Sequence, residues 1–327
     1  MHDSTSGSNE TPPLSTPAET PAATSRAALA HIPIMVGEVL ACLHPAPGDF
    51  VVDCTLGSGG HARHLLDAVL PGGHLLGLDI DDVERGRTEA RMRMEGFDAD
   101  VFTTSHTSFA ALPDVLAARG GPRANAVLVD LGVSAMQFDD PVRGFSYKAV
   151  GPLDMRMNGG AGRTAADVVA DTQEDELARL LRENADEPHA SLIARVLKST
   201  PIRTTRAAER HIRLALQDAL PDAGKSAIKM SVRRTFQALR IAVNDEFRAL
   251  DSLLAALPAC LAPGGRVAVL TFHSGEDRRV KKAFQAGRRS GVYSAITDRV
   301  IRSKKAETFS NRRASAAKLR WARRADA

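Results

Sequence analysis

The sequence predicts an α/β fold: a mostly parallel sheet with helices on both faces, interrupted by an all-helical insertion. Three observations carry this reading. Val51-Val52-Asp53-Cys54-Thr55-Leu56-Gly57-Ser58-Gly59-Gly60-His61 reads as a strand that runs into a glycine loop and opens a helix. Segments 75–79, 126–130 and 266–272 are further short apolar runs of strand type, the first two set among helical stretches. Between them, the hundred or so residues after the loop 132–157 show helical periodicity and no convincing strand.

Taken in order, the pattern predicts helix 36–43, strand 50–53, helix 61–70, strand 75–79, helix 83–95, a short strand near 99–103, helix 109–118 and strand 126–130. Residues 132–157, rich in Asp, Pro, Arg and Gly, read as a loop, and helices follow at 164–171, 172–184, 188–198 and 205–220. A long helix over about 232–257, a turn at Ala262-Pro263-Gly264-Gly265 and the strand 266–272 resume the alternation. Residues 29–135 and 232–327 are therefore expected to share one sheet domain, with 136–231 inserted as a helical domain that recognises substrate. Residues 1–28, mostly Ser, Thr, Pro and Ala, carry too little apolar surface to offset the entropy of ordering and are expected to form a disordered tail.

The loop points to a ligand. Glycines at 57, 59 and 60 allow positive φ and close approach of the backbone, and the helix that follows aims its N–H groups outward. Asp79 ends the next strand 22 residues beyond Gly57, where a carboxylate accepts both hydroxyls of a ribose. NAD and S-adenosylmethionine use that same contact, and Ala62 can take the place of the third glycine of the dinucleotide pattern, so both cofactors stay open at this point.

Three further clusters fall at expected strand ends: Ser108-Phe109, Asp130-Leu131-Gly132-Val133-Ser134 and His273-Ser274-Gly275-Glu276-Asp277. Phe109 reads either as an apolar wall against an adenine ring or as an ordinary core residue. Asp130 follows Val127-Leu128-Val129 and reads either as a site acid or as the holder of the next turn through backbone N–H groups. Ser274 and Asp277 fit a capping box for a helix over 278–284, while His273 faces the substrate from the end of its strand. Asp130 and His273 are the candidate catalytic residues.

Composition narrows the classes. With 43% apolar and 25% charged residues in 327, the chain reads as a soluble globular protein, and no apolar run approaches the ~20 residues that span a bilayer. A cytoplasmic enzyme with no membrane partner is expected. Cys42, Cys54 and Cys260 show neither CxxC spacing nor neighbouring histidines, so they are expected to be buried and reduced, with no metal site. Residues 299–327 hold ten Lys or Arg against Glu307 and Asp326, a local balance of +8 that leaves the rest at −4. This reads as an edge that contacts a polyanion, with Phe309 and Trp321 stacking on bases, or as a solvated strand and tail.

Seven segments make a resemblance specific: DCTLGSGGH from Asp53, DLGVSAMQFDD from Asp130, RGFSY from Arg143, GPLDMRM from Gly151, RTFQALRIAVNDE from Arg234, LTFHSGEDRRVK from Leu270 and SAAKLR from Ser315. In this order, over about 31–324, they are similar to the bacterial small-subunit (16S) ribosomal RNA cytosine-N(4) methyltransferase family. The resemblance implies a class I methyltransferase fold with an inserted helical domain and S-adenosylmethionine as cofactor. It also implies methylation of a cytidine amino group in the decoding region of 16S rRNA, with that RNA in the small ribosomal subunit as the expected partner. By motif, cofactor contacts fall on Gly59, Gly60, His61, Asp79, Phe109, Asp130 and Gln137. The chain departs from the pattern at Gly275, where the family usually has leucine.

A cytosine amino group is a weak nucleophile, because its lone pair is delocalised into the ring. Placement and an acceptor for the amino hydrogens are then the enzyme's task, and Asp130 or a main-chain carbonyl of 131–134 is expected to supply the acceptor. Methylation at carbon 5 needs a cysteine nucleophile instead, and none of the three cysteines is expected in a suitable loop. The sequence leaves the oligomeric state open, a homodimer included.

Overall fold

The computed structural model of the protein describes Met1, His2 and residues 33–326, so the tail expected over 1–28 lies almost wholly outside the described residues. Seven strands form one sheet: β1 Phe50–Asp53, β2 His74–Asp79, β3 Phe102–His106, β4 Ala124–Asp130, β5 Leu261–Thr271, β6 Tyr293–Ile296 and β7 Lys318–Arg324. Their order is β3-β2-β1-β4-β5-β7-β6. The first five run parallel, and β7 lies antiparallel between β5 and β6. From β1 the chain winds outward to β3, then returns to place β4 on the other side of β1. That reversal opens a crevice at the carboxyl ends of β1 and β4, where ligands of open α/β sheets bind.

Helices α1 Val36–Leu43, α2 Gly60–Val69, α3 Asp82–Met94 and α4 Leu112–Ala118 link the early strands, and α5 Ala135–Asp139 follows β4. Then come α6 Ala165–Asp171, α7 Glu174–Ala185, α8 Ala190–Lys198, α9 Thr205–Ala219, α10 Lys225–Asn244 and α11 Glu246–Cys260 before β5, with α12 Ser274–Arg289 and α13 Lys305–Ser310 after it. None among the described residues is long and apolar enough to cross a membrane.

Successive strand residues point to opposite faces, so each buried strand feeds two cores. Val51, Leu75, Leu128, Ala268 and Leu270 pack with α1 and α2 on one face. Val52, Leu76, Val127, Val129, Val267 and Val269 pack with α4, α11 and α12 on the other. A third core lies entirely within residues 145–239 and is built from α6 to α10.

The structure revises several elements. Strand β3 lies at 102–106 rather than 99–103: its FTTSH sequence is mostly half-buried and polar, so no apolar run marks it. Helix 109–118 divides into a 3-10 turn, Phe109–Ala111, and α4, whose first turn holds Pro113. The long helix expected over 232–257 is two helices broken at Asp245, whose φ of 52° ends α10 and starts α11. Moreover α10 begins at Lys225, and its Ile228, Val232, Phe236 and Leu239 fill the helical core. The basic C-terminal segment was read as an edge or a tail, yet β7 is interior to the sheet. Its Leu319 and Ala322 are fully buried.

Leu128 sits on β4 between Asp53 of β1 and Ala268 of β5 and is fully buried. Leu128→Ala is expected to lower the unfolding free energy by about 2–5 kcal/mol, read as a lower urea midpoint. An unchanged midpoint would contradict its place at the centre of the sheet.

Candidate functional site

The carboxyl ends of β1, β2, β4 and β5 open onto a cleft. Gly57, Gly60, His61, Asp79, Phe109, Asp130 and Gln137 all line it. Gly59 stands just behind the wall: it caps α2 with φ +69°, and a Cβ there would lie 2.6 Å from Thr88 Cγ2. Any side chain at 59 would therefore push the loop off α3. The loop is also fastened from outside, since Thr88 Oγ1 donates to the Gly57 carbonyl at 2.6 Å and Arg91 donates to the Ser58 carbonyl.

Asp79 joins the loop to β2. Its Oδ2 accepts from Gly57 N at 2.6 Å and its Oδ1 from Asp81 N at 2.8 Å. Burial pushes its carboxyl above the usual range, and these two bonds only partly offset that. Each oxygen keeps a lone pair for a ligand hydroxyl. Helix α3 is capped by the next acid along the chain, because Asp81 Oδ1 accepts from Glu84 N at 3.2 Å.

Asp81 also organises the far wall. Its Oδ2 accepts from Gln137 Nε2 at 2.9 Å and Arg143 Nη1 at 2.7 Å. Burial raises the Asp81 carboxyl, but these two bonds outweigh it and hold the group below its ordinary value. Gln137 Oε1 in turn accepts from Ser134 N at 3.1 Å, so both ends of its amide have protein partners. Arg143 continues to the carbonyls of Arg156 and Met157 at 3.0 and 2.8 Å, which draws the RGFSY and GPLDMRM segments together.

Asp130 is the least satisfied group. Its backbone N–H donates to Thr55 Oγ1 at 2.7 Å, while its Oδ1 is buried with no hydrogen-bond partner among the described residues. Oδ2 faces His61 Nδ1 at 3.6 Å. The other ring nitrogen, Nε2, lies 2.9 Å from the Ile34 carbonyl, which only accepts, so Nε2 carries a hydrogen and Nδ1 is left to take up a further proton. His61 thus sits against Asp130 with its ring fixed from behind. Burial, with the nearby charge of Glu276 adding to it, pushes the Asp130 carboxyl up to about 7. Asp53 beneath them is pushed up to about 6, again by burial, against a pull downward from His61.

The opposite rim comes from the end of α10 and the start of α11. Asn244 Nδ2 donates to the Met155 carbonyl at 2.8 Å and its Oδ1 accepts from Met157 N at 2.7 Å. Arg240 and Glu246 form a two-pronged pair, both contacts at 2.8 Å. Asn244, Glu246, Met157 and Glu276 line the cleft; of these only Glu276 stands in a cluster expected from the sequence at a strand end, and the other three each lie in a quoted motif without an assigned role.

His273 is not among the lining residues. It caps α12, and its ring packs on Phe247 with centroids 5.8 Å apart while Nε2 lies 3.1 Å from Glu276 Oε1. The capping acid is Glu276 rather than Asp277, because α12 starts at Ser274 and not at 278; Glu276 Oε2 accepts from Phe272 N at 2.8 Å. Asp277 instead receives Arg320 Nε at 2.6 Å and Lys318 Nζ at 3.3 Å from β7. Burial lifts the Glu276 carboxyl, yet His273, Arg240 and the Phe272 N–H outweigh it and hold it low. Gly275 has a local reason: a Cβ there would lie 2.6 Å from Phe247 Cζ.

Cys42, Cys54 and Cys260 are all free and buried. Cys54, however, follows β1 and lines the cleft, a position the sequence reading did not give it. Burial, reinforced by Asp53, pushes its thiol well above the ordinary value, so it is not a ready nucleophile.

Fold and site together define a class I S-adenosylmethionine-dependent methyltransferase, in which an antiparallel seventh strand enters an otherwise parallel sheet beside a glycine loop. The chain belongs to the MraW methylase family, which it matches over residues 28–325. It is 46% identical over 297 residues to ribosomal RNA small subunit methyltransferase H 2 of Alkaliphilus metalliredigens, covering 89% of this chain and 84% of the relative. Ribosomal RNA small subunit methyltransferase H 1 of Agathobacter rectalis is 43% identical over 302 residues, with 90% and 86% covered. The corresponding enzyme of Sorangium cellulosum is 39% identical over 294 residues, with 90% of each chain covered.

The raised carboxyl of Asp130 has a thermodynamic consequence. Unfolded, it titrates at ~4; folded, at about 7. Between those values the folded chain holds a proton that the unfolded chain lacks, so this contribution to stability is full below pH ~4 and is lost as pH rises through about 7. Asp130→Asn removes the effect: the variant is expected to melt above the wild type at pH ~8, the gap closing toward pH ~4. Parallel melting curves for the two proteins across that range would count against a carboxyl raised by burial.

Proposed function

We propose that the chain transfers a methyl group from S-adenosylmethionine to the exocyclic amino group of a cytidine in the decoding region of 16S rRNA, acting on the small ribosomal subunit. The observation that carries the chemistry is the buried, unpartnered Oδ1 of Asp130 at the cleft. A polar atom left in that state costs stability unless a ligand group meets it. Membership of the methylase family, with relatives named for small-subunit rRNA, supports the substrate.

The residues present fit the cofactor. Gly57, Gly59 and Gly60 bring the backbone and the start of α2 to the ligand, Asp79 offers free lone pairs to ribose hydroxyls, and Phe109 provides an apolar wall. When bound, S-adenosylmethionine supplies an electrophilic methyl group on a cationic sulfonium. Asp53, Asp79 and Asp130 suit a cationic ligand, since no Lys or Arg among the described residues pairs with them.

Asp130 has two tasks in this reading. As a carboxylate it accepts a hydrogen bond from the cytosine amino group, which weakens conjugation of the nitrogen lone pair with the ring. It then takes the proton that the methylated nitrogen releases, a task suited to a carboxyl poised near neutrality. His61 Nδ1 faces the same carboxylate at 3.6 Å. His273, set behind Glu276, acts as a positioning residue that orients Glu276. A cysteine-dependent route to carbon 5 is disfavoured by the raised Cys54 thiol. The inserted helical domain read at 136–231, whose core runs on along α10 to Leu239, holds the flanking RNA.

Asp130→Asn is expected to lower methyl transfer by on the order of 10²-fold or more, measured as tritium incorporated into small subunits from a strain lacking the gene. Activity within a few-fold of wild type would remove Asp130 from the chemistry, and a modified base mapping outside the decoding region would overturn the substrate. Asp79→Ala is expected to weaken donor binding in calorimetry while RNA retention on filters stays nearly unchanged. Equal loss of both would break the division of labour between loop and RNA surfaces.

A further inference from the structure

The segment between β6 and β7 reaches the rim of the cleft at two points. Glu307, on α13, accepts from Met35 N through Oε1 at 2.6 Å, beside Pro33 and Ile34, which line the cleft. Arg313, in the 3-10 turn Arg312–Ala316, lines the cleft itself and meets Asp139 of α5 at 2.8 Å. Phe309 lies between these two anchors and is 93% exposed. It does nothing for the folded core.

Its surroundings are cationic. Arg299, Arg302, Lys305 and Arg312 are exposed and have no carboxylate partner among the described residues, whereas Lys304 reaches Glu38 at 3.7 Å. Trp321, the other aromatic of this segment, is spent on the fold. It packs against the core of the α1 and α2 face and lies under the Arg266 guanidinium at 5.4 Å, while its carbonyl accepts from Thr297 N and its N–H donates to Thr297 Oγ1.

We propose that Phe309 and these four unpaired cations form a docking subsite for single-stranded RNA next to the target nucleotide. One base stacks on the phenyl ring, and neighbouring phosphates lie against Arg299, Arg302, Lys305 and Arg312. This rests on the rRNA reading above and adds a subsite outside the cleft. The charge selects the partner class: one exposed phenyl ring on a segment with four unpaired cations offers too little apolar surface for a protein partner, yet it matches the stacking platform and phosphate track that bind single strands. Phe309 is not among the residues that line the cleft. A base held there keeps the adjoining nucleotide at the cleft mouth, where Arg313 and Asp139 meet.

The test compares Phe309→Ala, Phe309→Leu and Phe309→Trp in the full chain. Filter binding to a 16S decoding-region RNA fragment, KM for small subunits and donor affinity by calorimetry are measured for each. Phe309→Ala and Phe309→Leu are expected to weaken RNA binding and raise KM about tenfold, with Phe309→Trp within about twofold of wild type and donor affinity unchanged. RNA binding that is insensitive to Phe309→Ala overturns the subsite, as does a leucine variant that binds like wild type, since an aliphatic side chain cannot stack in the same way. A monomer–dimer shift of Phe309→Ala in ultracentrifugation also overturns it, by assigning the ring to a second copy. Binding is read without turnover, so the two readings fail separately. A wild type that methylates subunits but ignores Phe309 defeats the subsite alone, and one that binds RNA through Phe309 without methylating it defeats the enzymatic reading alone.

Discussion

An ionisable oxygen with no protein partner, Asp130 Oδ1, sits where the central strand of the sheet ends, and the site is arranged around keeping it there. Such a group is expensive, so the residues that hold it must not relax. Val127, Leu128 and Val129 fix β4 between β1 and β5, and the Thr55 hydroxyl takes the Asp130 N–H and prevents the turn from closing on its own carboxylate. His61 stops 3.6 Å short of Asp130 Oδ2, its far nitrogen anchored by the Ile34 carbonyl.

The same economy governs charge. Each arginine near the cleft already has its own acid: Arg240 holds Glu246, Arg143 holds Asp81, Arg320 holds Asp277 and Arg313 holds Asp139. Pairing them elsewhere leaves Asp53, Asp79 and Asp130 without a positive partner other than His61. Burial raises the proton affinity of all three, and at Asp53 the charges of Asp130 and Asp79 add to it. They equally favour any other cation that fits. A site built this way discriminates by charge before any shape contact is made, and it explains why Asp81, only two residues from Asp79, is drawn in the opposite direction.

Legibility in the sequence followed chemistry that repeats locally. Strand β1, its glycine loop and Asp79 stood out because apolar alternation, φ-permissive residues and an acid at fixed spacing all obey short-range rules. Strand β7 did not, because Lys318, Arg320, Arg323 and Arg324 gave a basic tail-like pattern, and only antiparallel pairing with β5 reveals that Leu319 and Ala322 face two cores. The break at Asp245 was equally hidden: Asn244 and Asp245 sit inside a continuous helical period, and the demand for the break comes from Met155 and Met157, nearly ninety residues away. His273 illustrates the reverse error. A polar residue after Val267-Ala268-Val269-Leu270 looked like a substrate contact, but the turn rotates it behind Glu276, whose carboxylate takes the place at the cleft.

Counting charges therefore misleads unless the partners are known. Of the basic residues that made the C-terminal segment look like one polyanion-binding tract, Lys318 and Arg320 are spent on Asp277, Arg323 on Asp326 and Arg324 on the Leu261 carbonyl. Those contacts fasten β7 into the sheet and carry no free charge to the surface. With Lys304 held by Glu38 and Arg313 by Asp139, Arg299, Arg302, Lys305 and Arg312 are the remainder, and they lie on the stretch that links β6 to β7, not on the strand. The connection is thus the part of the segment able to meet an anion, while the strand's task is to hold both ends of that connection against the cleft.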